Sequence, residues 1–182
     1  RNDGKNITSL SNGKVIIGGY LGMLVQYNEK TDLFEDLSLS FNDSTGHKEI
    51  AGFYHAPNGD IYVCTTKGVY IYDKKAERFS NNFPAFNAMS DLSIRSLHID
   101  KMERFWACSH NTLHIFSKEG TFIRKFDLAD EHKQMFISQL YPMNDSTLLA
   151  SSFSDIIFYF NINADGEINI VDVALLIEIL NN

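Results

Sequence analysis

The stretch that decides the fold runs from Ile50 to Asp73 and reads IAGFYHAPNGDIYVCTTKGVYIYD. It holds three short apolar runs rich in β-branched and aromatic residues, which is the composition of β-strands. Asn58-Gly59-Asp60 separates the first two runs, and such residues tolerate the positive φ that a tight hairpin requires. The stretch therefore predicts a meander of short antiparallel strands.

The same pattern recurs along the whole chain. Isoleucines mark the first run of each copy at positions 7, 50, 94 and 137, and small residues end the second run at 18, 64, 108 and 151. A third run ends in an aromatic residue, and a weaker fourth run carries Phe34, Phe79 and Phe122 at equivalent places. Periods of roughly 40–45 residues with four strands each are typical of propeller blades.

We therefore predict an all-β fold, a four-blade β-propeller-like array with four antiparallel strands per blade and a short C-terminal helix. The expected blades span about 6–44, 48–91, 92–134 and 135–160, and residues 161–182 form a tail or complete the last blade. Because four blades leave open edges, we expect either a ring closed by the chain ends or self-association through the first and last blades.

One equivalent position ends every second strand with a small residue: Gly18, Cys64, Cys108 and Ser151. Crowding between neighbouring blades explains a small residue there. The two cysteines are accordingly predicted to be buried small residues, not a disulfide pair or catalytic thiols.

The stretch from Ile50 to Asp73 resembles the two-component regulator propeller repeat, and the third copy, with Asp100, Phe105-Trp106 and Leu113, is similar. That family builds extracytoplasmic sensor regions of hybrid histidine kinases in gut Bacteroidetes. The resemblance implies a periplasmic or extracellular module that recognises a ligand, with carbohydrate as one class, or a partner, and that is not an enzyme. The family's frequent Trp-Ile-Gly-Thr appears here as Tyr-Val-Cys-Thr and Trp-Ala-Cys-Ser, and four units are fewer than its propellers usually contain.

The tail carries oxygen-bearing side chains at the spacing of a calcium loop, with Gly166 at the sixth position. The candidate Ca²⁺ ligands are Asn161, Asn163, Asp165, Glu167 through its carbonyl, Asn169 and Asp172. With the apolar helical pattern that follows, the tail resembles one half of a dockerin, although Asn161 stands where Asp is usual and no second copy follows. The resemblance implies a cohesin-like partner and, as the alternative function, a secreted glycan-binding or glycan-active protein with a calcium-dependent attachment tail.

A second interpretation of the tail remains open. Gly166-Glu167-Ile168 can be matched with Gly120-Thr121-Phe122, with a two-residue insertion. Asp165-Gly166 is then a hairpin turn into the fourth strand of the last blade, and the loop binds no metal.

Composition argues against two classes of partner. A net charge of -7 argues against nucleic acid, because phosphate binding needs clustered Lys and Arg. The sequence has no apolar run of about 18 residues, which a membrane-spanning helix would need. The sequence shows no nucleophile elbow or phosphate-binding glycine loop, and His110 and His114 lack a third ligand nearby in sequence. The polar connections between blades are the expected ligand surface, where aromatic residues either stack on sugar rings or anchor the loops: Phe41, Phe83 and Phe86.

Overall fold

A computed structural model describes residues 4–10, 12–37, 49–128, 137–152, 157–162 and 168–172. Within these residues the chain forms sixteen strands in four antiparallel sheets of four strands, and each sheet is ordered as the chain runs. The predicted all-β fold of four blades is confirmed. The helix predicted after Asp172 lies outside the described residues.

The strands follow the predicted runs closely. The first blade contains β1 (Gly4–Ser9), β2 (Val15–Gly19), β3 (Leu24–Asn28) and β4 (Leu33–Asp36). The second contains β5 (Ile50–His55), β6 (Ile61–Thr65), β7 (Gly68–Asp73) and β8 (Arg78–Ser80). The third contains β9 (Ile94–Ile99), β10 (Phe105–Ser109), β11 (Thr112–Phe116) and β12 (Phe122–Asp127). The fourth contains β13 (Ile137–Asn144), β14 (Thr147–Ser152), β15 (Ile157–Ile162) and β16 (Ile168–Asp172).

Cross-strand pairing confirms the aromatic equivalence between third and fourth strands. Tyr27 pairs with Phe34, Tyr72 with Phe79 and Phe116 with Phe122. Such facing aromatic pairs stabilise the outer hairpin of a blade.

The first strand of the first blade departs from the predicted equivalence. Ile7 pairs with Ile17, whereas Ile50 pairs with Thr65 and Phe53 pairs with Val63. Since Ile17 and Val63 are equivalent in the second strands, Ile7 corresponds to Phe53 and not to Ile50. The pairing pattern of the backbone, rather than the shared isoleucine, determines which residues share a face.

The chain divides into two compact units, Arg1–Ile94 and Arg95–Asn182. In the first unit, one face of the first blade packs on one face of the second in a single hydrophobic core. We call the face of a blade toward the next blade its trailing face, here Leu10, Ile16, Gly18 and Leu24. We call the opposing face its leading face, in the second blade Phe53, Ile61, Val63, Tyr70, Tyr72 and Phe79.

Gly18 lies at the tightest point of that junction. A Cβ atom added to Gly18 would lie 2.3 Å from Cγ2 of Ile50, closer than two carbon atoms can approach. The glycine is therefore required by the neighbouring blade and not by its own backbone conformation. This confirms the predicted crowding at the end of the second strand.

The second unit repeats the same junction between its two blades. The trailing face of the third blade contributes Trp106, Cys108, Leu113 and Ile115, and the leading face of the fourth contributes Leu148, Ala150, Phe158 and Phe160. The Trp106 and Phe160 rings meet edge to face with centroids 6.1 Å apart. The Asp100 carboxylate accepts a hydrogen bond from Trp106 Nε1 at 2.8 Å and one from Arg104 Nε at 2.7 Å, which fixes the β9–β10 hairpin on this core.

Candidate recognition site

The first strands of the two blades in the first unit run side by side in the same direction. Asn6 Nδ2 donates to the carbonyl oxygen of Ile50 at 3.1 Å, and Thr8 Oγ1 lies 2.5 Å from His55 Nε2. The start of β1 therefore lies beside the start of β5, and their ends lie together. We define the loop end of this unit as the side that carries the β2–β3 turn, the β6–β7 turn and the connection 81–93.

The β2–β3 turn presents two apolar side chains at the loop end. Tyr20 is 45% exposed and Leu21 is 58% exposed. Leu21 has a φ of 58° and a ψ of 26°, the left-handed region that a bulky side chain adopts at a cost of about 1 kcal/mol. An exposed apolar residue held in a strained conformation gains nothing from burial, which points to a role at the surface.

The second and third blades make the equivalent turn with fewer residues. Four residues, 20–23, connect β2 to β3, whereas two connect β6 to β7 (Thr66 and Lys67) and two connect β10 to β11 (His110 and Asn111). In the shorter turns the positive φ belongs to Gly68, at 87°, or to His110, at 54°. The first blade therefore has the longer turn, and it holds an apolar side chain in a conformation that glycine adopts without strain.

The connection 81–93 adds aromatic residues to the same end. Phe83 and the short helix α1 (Phe86–Met89) lie on it. The Phe83 ring lies 5.7 Å from Tyr62 and 6.1 Å from Phe86, and Phe86 lies 5.4 Å from Tyr70. Both phenylalanines are half-buried, so each anchors the connection and still presents part of its ring to solvent.

Backbone contacts hold this connection against the second blade. The Gly68 N–H donates to the carbonyl oxygen of Leu92 at 2.8 Å. A Cβ atom at Gly68 would lie 2.8 Å from the carbonyl oxygen of Met89, so the close approach needs glycine as much as the positive φ does. The aromatic residues of the connection are therefore carried on a rigid support, as a preformed recognition surface requires.

The two cysteines lie elsewhere and are buried, as predicted, and His114 is half-buried. Burial raises the pKa of the Cys64 thiol to about 12, so it carries no thiolate at neutral pH. Burial, aided by Lys125, lowers the pKa of His114, whose ring stacks on Phe116. In the described part of the chain, no three His, Cys, Asp or Glu side chains are grouped to hold a metal ion.

Several predicted site residues cannot be placed. Phe41, Asn163, Asp165 and Glu167 lie outside the described residues, as do the side chains of Asn169 and Asp172. The backbone pairs Asn161 with Asn169 in the β15–β16 ladder, so β16 forms a fourth strand of the last blade. Calcium binding by this tail stays a prediction.

Sequence reasoning missed Tyr20 and Leu21. The signal was present in the run Gly19-Tyr20-Leu21-Gly22, because an apolar pair between two glycines at a turn is not needed for the turn itself. The sequence analysis placed the ligand surface on the connections between blades, whereas this turn lies within one blade.

Comparisons with known proteins establish the fold. No protein-family model and no curated protein matches the chain. Two extracellular domains described as belonging to hybrid two-component systems of B. thetaiotaomicron are similar in structure. One is 20% identical with a TM-score of 0.66, the match covering 91% of this chain and 22% of that one. The other is 17% identical with a TM-score of 0.64, covering 93% and 22%.

An enzyme shares the same architecture. Virginiamycin B lyase from Staphylococcus aureus is 14% identical with a TM-score of 0.62, covering 95% of this chain and 56% of the lyase. The chain thus spans under a quarter of the two extracellular domains and just over half of the lyase. Because the same fold occurs both in these domains and in an enzyme, the likeness does not determine function, which has to be argued from the site. No helix of the described residues is long and apolar enough to cross a membrane.

Proposed function

We propose that this chain is an extracytoplasmic recognition module, part of a sensor, which binds its ligand or partner at the loop end of the first unit without catalysis. The observation that carries the proposal is the Tyr20–Leu21 pair, exposed and strained on a turn longer than those of the second and third blades. Periplasmic or extracellular placement follows from the same proposal and is supported by the sensor domains that share the fold.

The chemistry of the loop end favours a ligand with both apolar and hydroxyl surfaces. Tyr20 offers a ring face and a phenolic hydroxyl, and Phe83 and Phe86 offer partly exposed rings on the connection 81–93. Aromatic rings with a few polar groups are the usual lining of small-molecule sites. Carbohydrates have this mixed character, so an oligosaccharide is the ligand class we propose.

Two of the described groups that could act in catalysis are poorly suited to it, which supports binding over turnover. The Cys64 thiol is protonated at neutral pH, and the imidazole of His114 is stacked on a neighbouring ring. Neither group lies on the Tyr20–Leu21 turn. A lyase or hydrolase would need a positioned acid or base within hydrogen-bonding reach of its substrate.

The test is a binding screen followed by matched variants. We expect a member of a panel of neutral and acidic oligosaccharides to raise the melting temperature, and titration calorimetry to give its dissociation constant. Tyr20→Ala and Leu21→Ala should each weaken binding by about tenfold or more, equal to about 1.4 kcal/mol. Phe122→Ala, which truncates a similarly exposed aromatic residue in the second unit, should leave binding unchanged.

Two results would contradict the proposal. Unchanged affinity in both turn variants would move the site away from the loop end. Release of a cleaved or eliminated product from any panel member, followed by chromatography, would make the chain an enzyme.

A further inference from the structure

The leading face of the first blade is apolar and open to solvent. Ile7 is 70% exposed and Phe34 is 59% exposed. Four further side chains of this face are half-buried and largely apolar: Val15, Ile17, Val25 and Tyr27. The polar Ser9 and Asp36 pair with Val15 and Val25 and lie at the border of the face. Contiguous exposed apolar surface of this kind marks an interaction site on a folded protein.

The same positions are buried in the second blade. Strand pairing makes Ile7, Ile17, Val25 and Phe34 the counterparts of Phe53, Val63, Tyr70 and Phe79, and likewise relates Val15 and Tyr27 to Ile61 and Tyr72. Of these counterparts only Phe53 retains partial exposure, because all of them pack on the trailing face of the first blade. The open face is therefore built as one half of a blade junction.

The fourth blade carries the other half. By the same register, its trailing face contains Tyr141, Leu149, Tyr159 and Ile157, together with Ser151 at the small-residue position. Tyr141 is 66% exposed and Ile157 is 39% exposed, whereas the leading face of this blade is buried against the third. The trailing face of the fourth blade is thus accessible, and its apolar side chains lie beside the polar Gln139, Thr147 and Asn161.

We propose that a second copy of this chain covers the open face, with the leading face of the first blade of one copy packing on the trailing face of the fourth blade of the next. The occupant is a second copy because one chain carries both complementary halves of the junction. The blade junction within each of the two units also joins a trailing face to a leading face, so the packing that we propose between copies already occurs inside each unit. Contacts between two different patches are heterologous, and they join copies head to tail.

The experiment uses sedimentation velocity on the whole chain over a wide range of concentrations. The wild-type chain should associate as concentration rises. A leading-face variant, Ile7→Lys with Phe34→Lys, and a trailing-face variant, Tyr141→Lys with Ile157→Lys, should each raise the dissociation constant at least about tenfold. Leu33→Lys is the matched control, because Leu33 neighbours Phe34, is 63% exposed and does not belong to the leading face.

Mixing the two variants gives the decisive result. Each variant retains one intact half, so an equimolar mixture should form dimers although neither variant associates alone. Circular dichroism spectra that match the wild type would show that the exposed substitutions leave the fold intact.

Three outcomes would overturn the proposal. A wild-type chain that stays monomeric at every concentration would make another polypeptide, or another part of a longer chain, the occupant. Dimers of the trailing-face variant alone would indicate pairing of two leading faces. An equal loss of association in the Leu33→Lys control would show that added charge, rather than the face, is responsible.

Discussion

Replacing Gly18 by alanine tests whether the junction between the first two blades determines the residue at that position. Intrinsic preference predicts a gain, because glycine in a strand interior is about 0.5–1 kcal/mol less stable than alanine. The structure predicts a loss. The added Cβ would lie 2.3 Å from Cγ2 and 2.9 Å from Cβ of Ile50, a side chain that is fully buried and cannot swing aside.

The size of the loss follows from overpacking. Forcing one extra methyl group into a filled core costs about 1–3 kcal/mol, and a contact this short lies at the upper end. For a chain of 182 residues, each kcal/mol lowers the melting temperature by about 2–4 °C. Gly18→Ala should therefore lower the melting temperature by several degrees, as measured by calorimetry and by urea unfolding.

A double-mutant cycle identifies the clash as the cause. Ile50→Ala alone should cost about 2–5 kcal/mol because it leaves a cavity. In that background Gly18→Ala should cost clearly less than in the wild type, since Cγ2 and Cγ1 of Ile50 are gone and only its Cβ, at 2.9 Å, remains close. Ser151→Cys, a similar enlargement at the equivalent and partly exposed position of the fourth blade, should be tolerated. A neutral or stabilising Gly18→Ala would refute the reasoning.

Three further predictions follow from single features. Leu21→Gly should raise the free energy of unfolding by up to about 1 kcal/mol by relieving the left-handed strain, as measured by urea unfolding, with no gain expected if the turn relaxes freely. Burial lowers the pKa of His98 and His114 below the ordinary value, so the unfolded chain takes up protons before the folded chain as the pH falls. The melting temperature should therefore drop between pH 7.5 and pH 5, and it should drop less in His114→Gln. If the tail binds calcium, titration with the ion should raise the melting temperature, and Asp165→Ala should abolish that rise.

Much of the fold could be predicted because each blade repeats local signals. Alternating apolar runs and Asn-Gly turns predicted the strands, and the shared small residue predicted the crowding between Gly18 and Ile50. These signals depend on neighbours along the chain and on one recurring contact. Because the repeat places a small residue at the same position of each blade, the contact can be predicted from the sequence alone.

The remainder depends on packing that has no repeated signature. The offset of Ile7 depends on how β1 pairs with β2, which a shared isoleucine does not reveal. The helix α1 is a single turn, too short for a periodic pattern, and it is held by the close approach of Met89 to Gly68. The strain at Leu21 appears only in its backbone angles. The Tyr20–Leu21 site could therefore be identified only from the structure, although the sequence contains its residues in the run Gly19-Tyr20-Leu21-Gly22.

The tail shows how one run of residues can satisfy two patterns that exclude each other. In a calcium loop the twelfth residue returns to the ion because the chain turns into a helix after the ninth. In the β15–β16 ladder the chain instead stays extended from Asn169 to Asp172, and at about 3.3 Å per residue this places Asp172 about 10 Å beyond Asn169. The extended backbone of β16 is therefore not the helical backbone that follows the ninth position of a calcium loop. Calcium binding by the full set would require β16 to leave the sheet, so a calcium-induced rise in melting temperature must outweigh the loss of that strand.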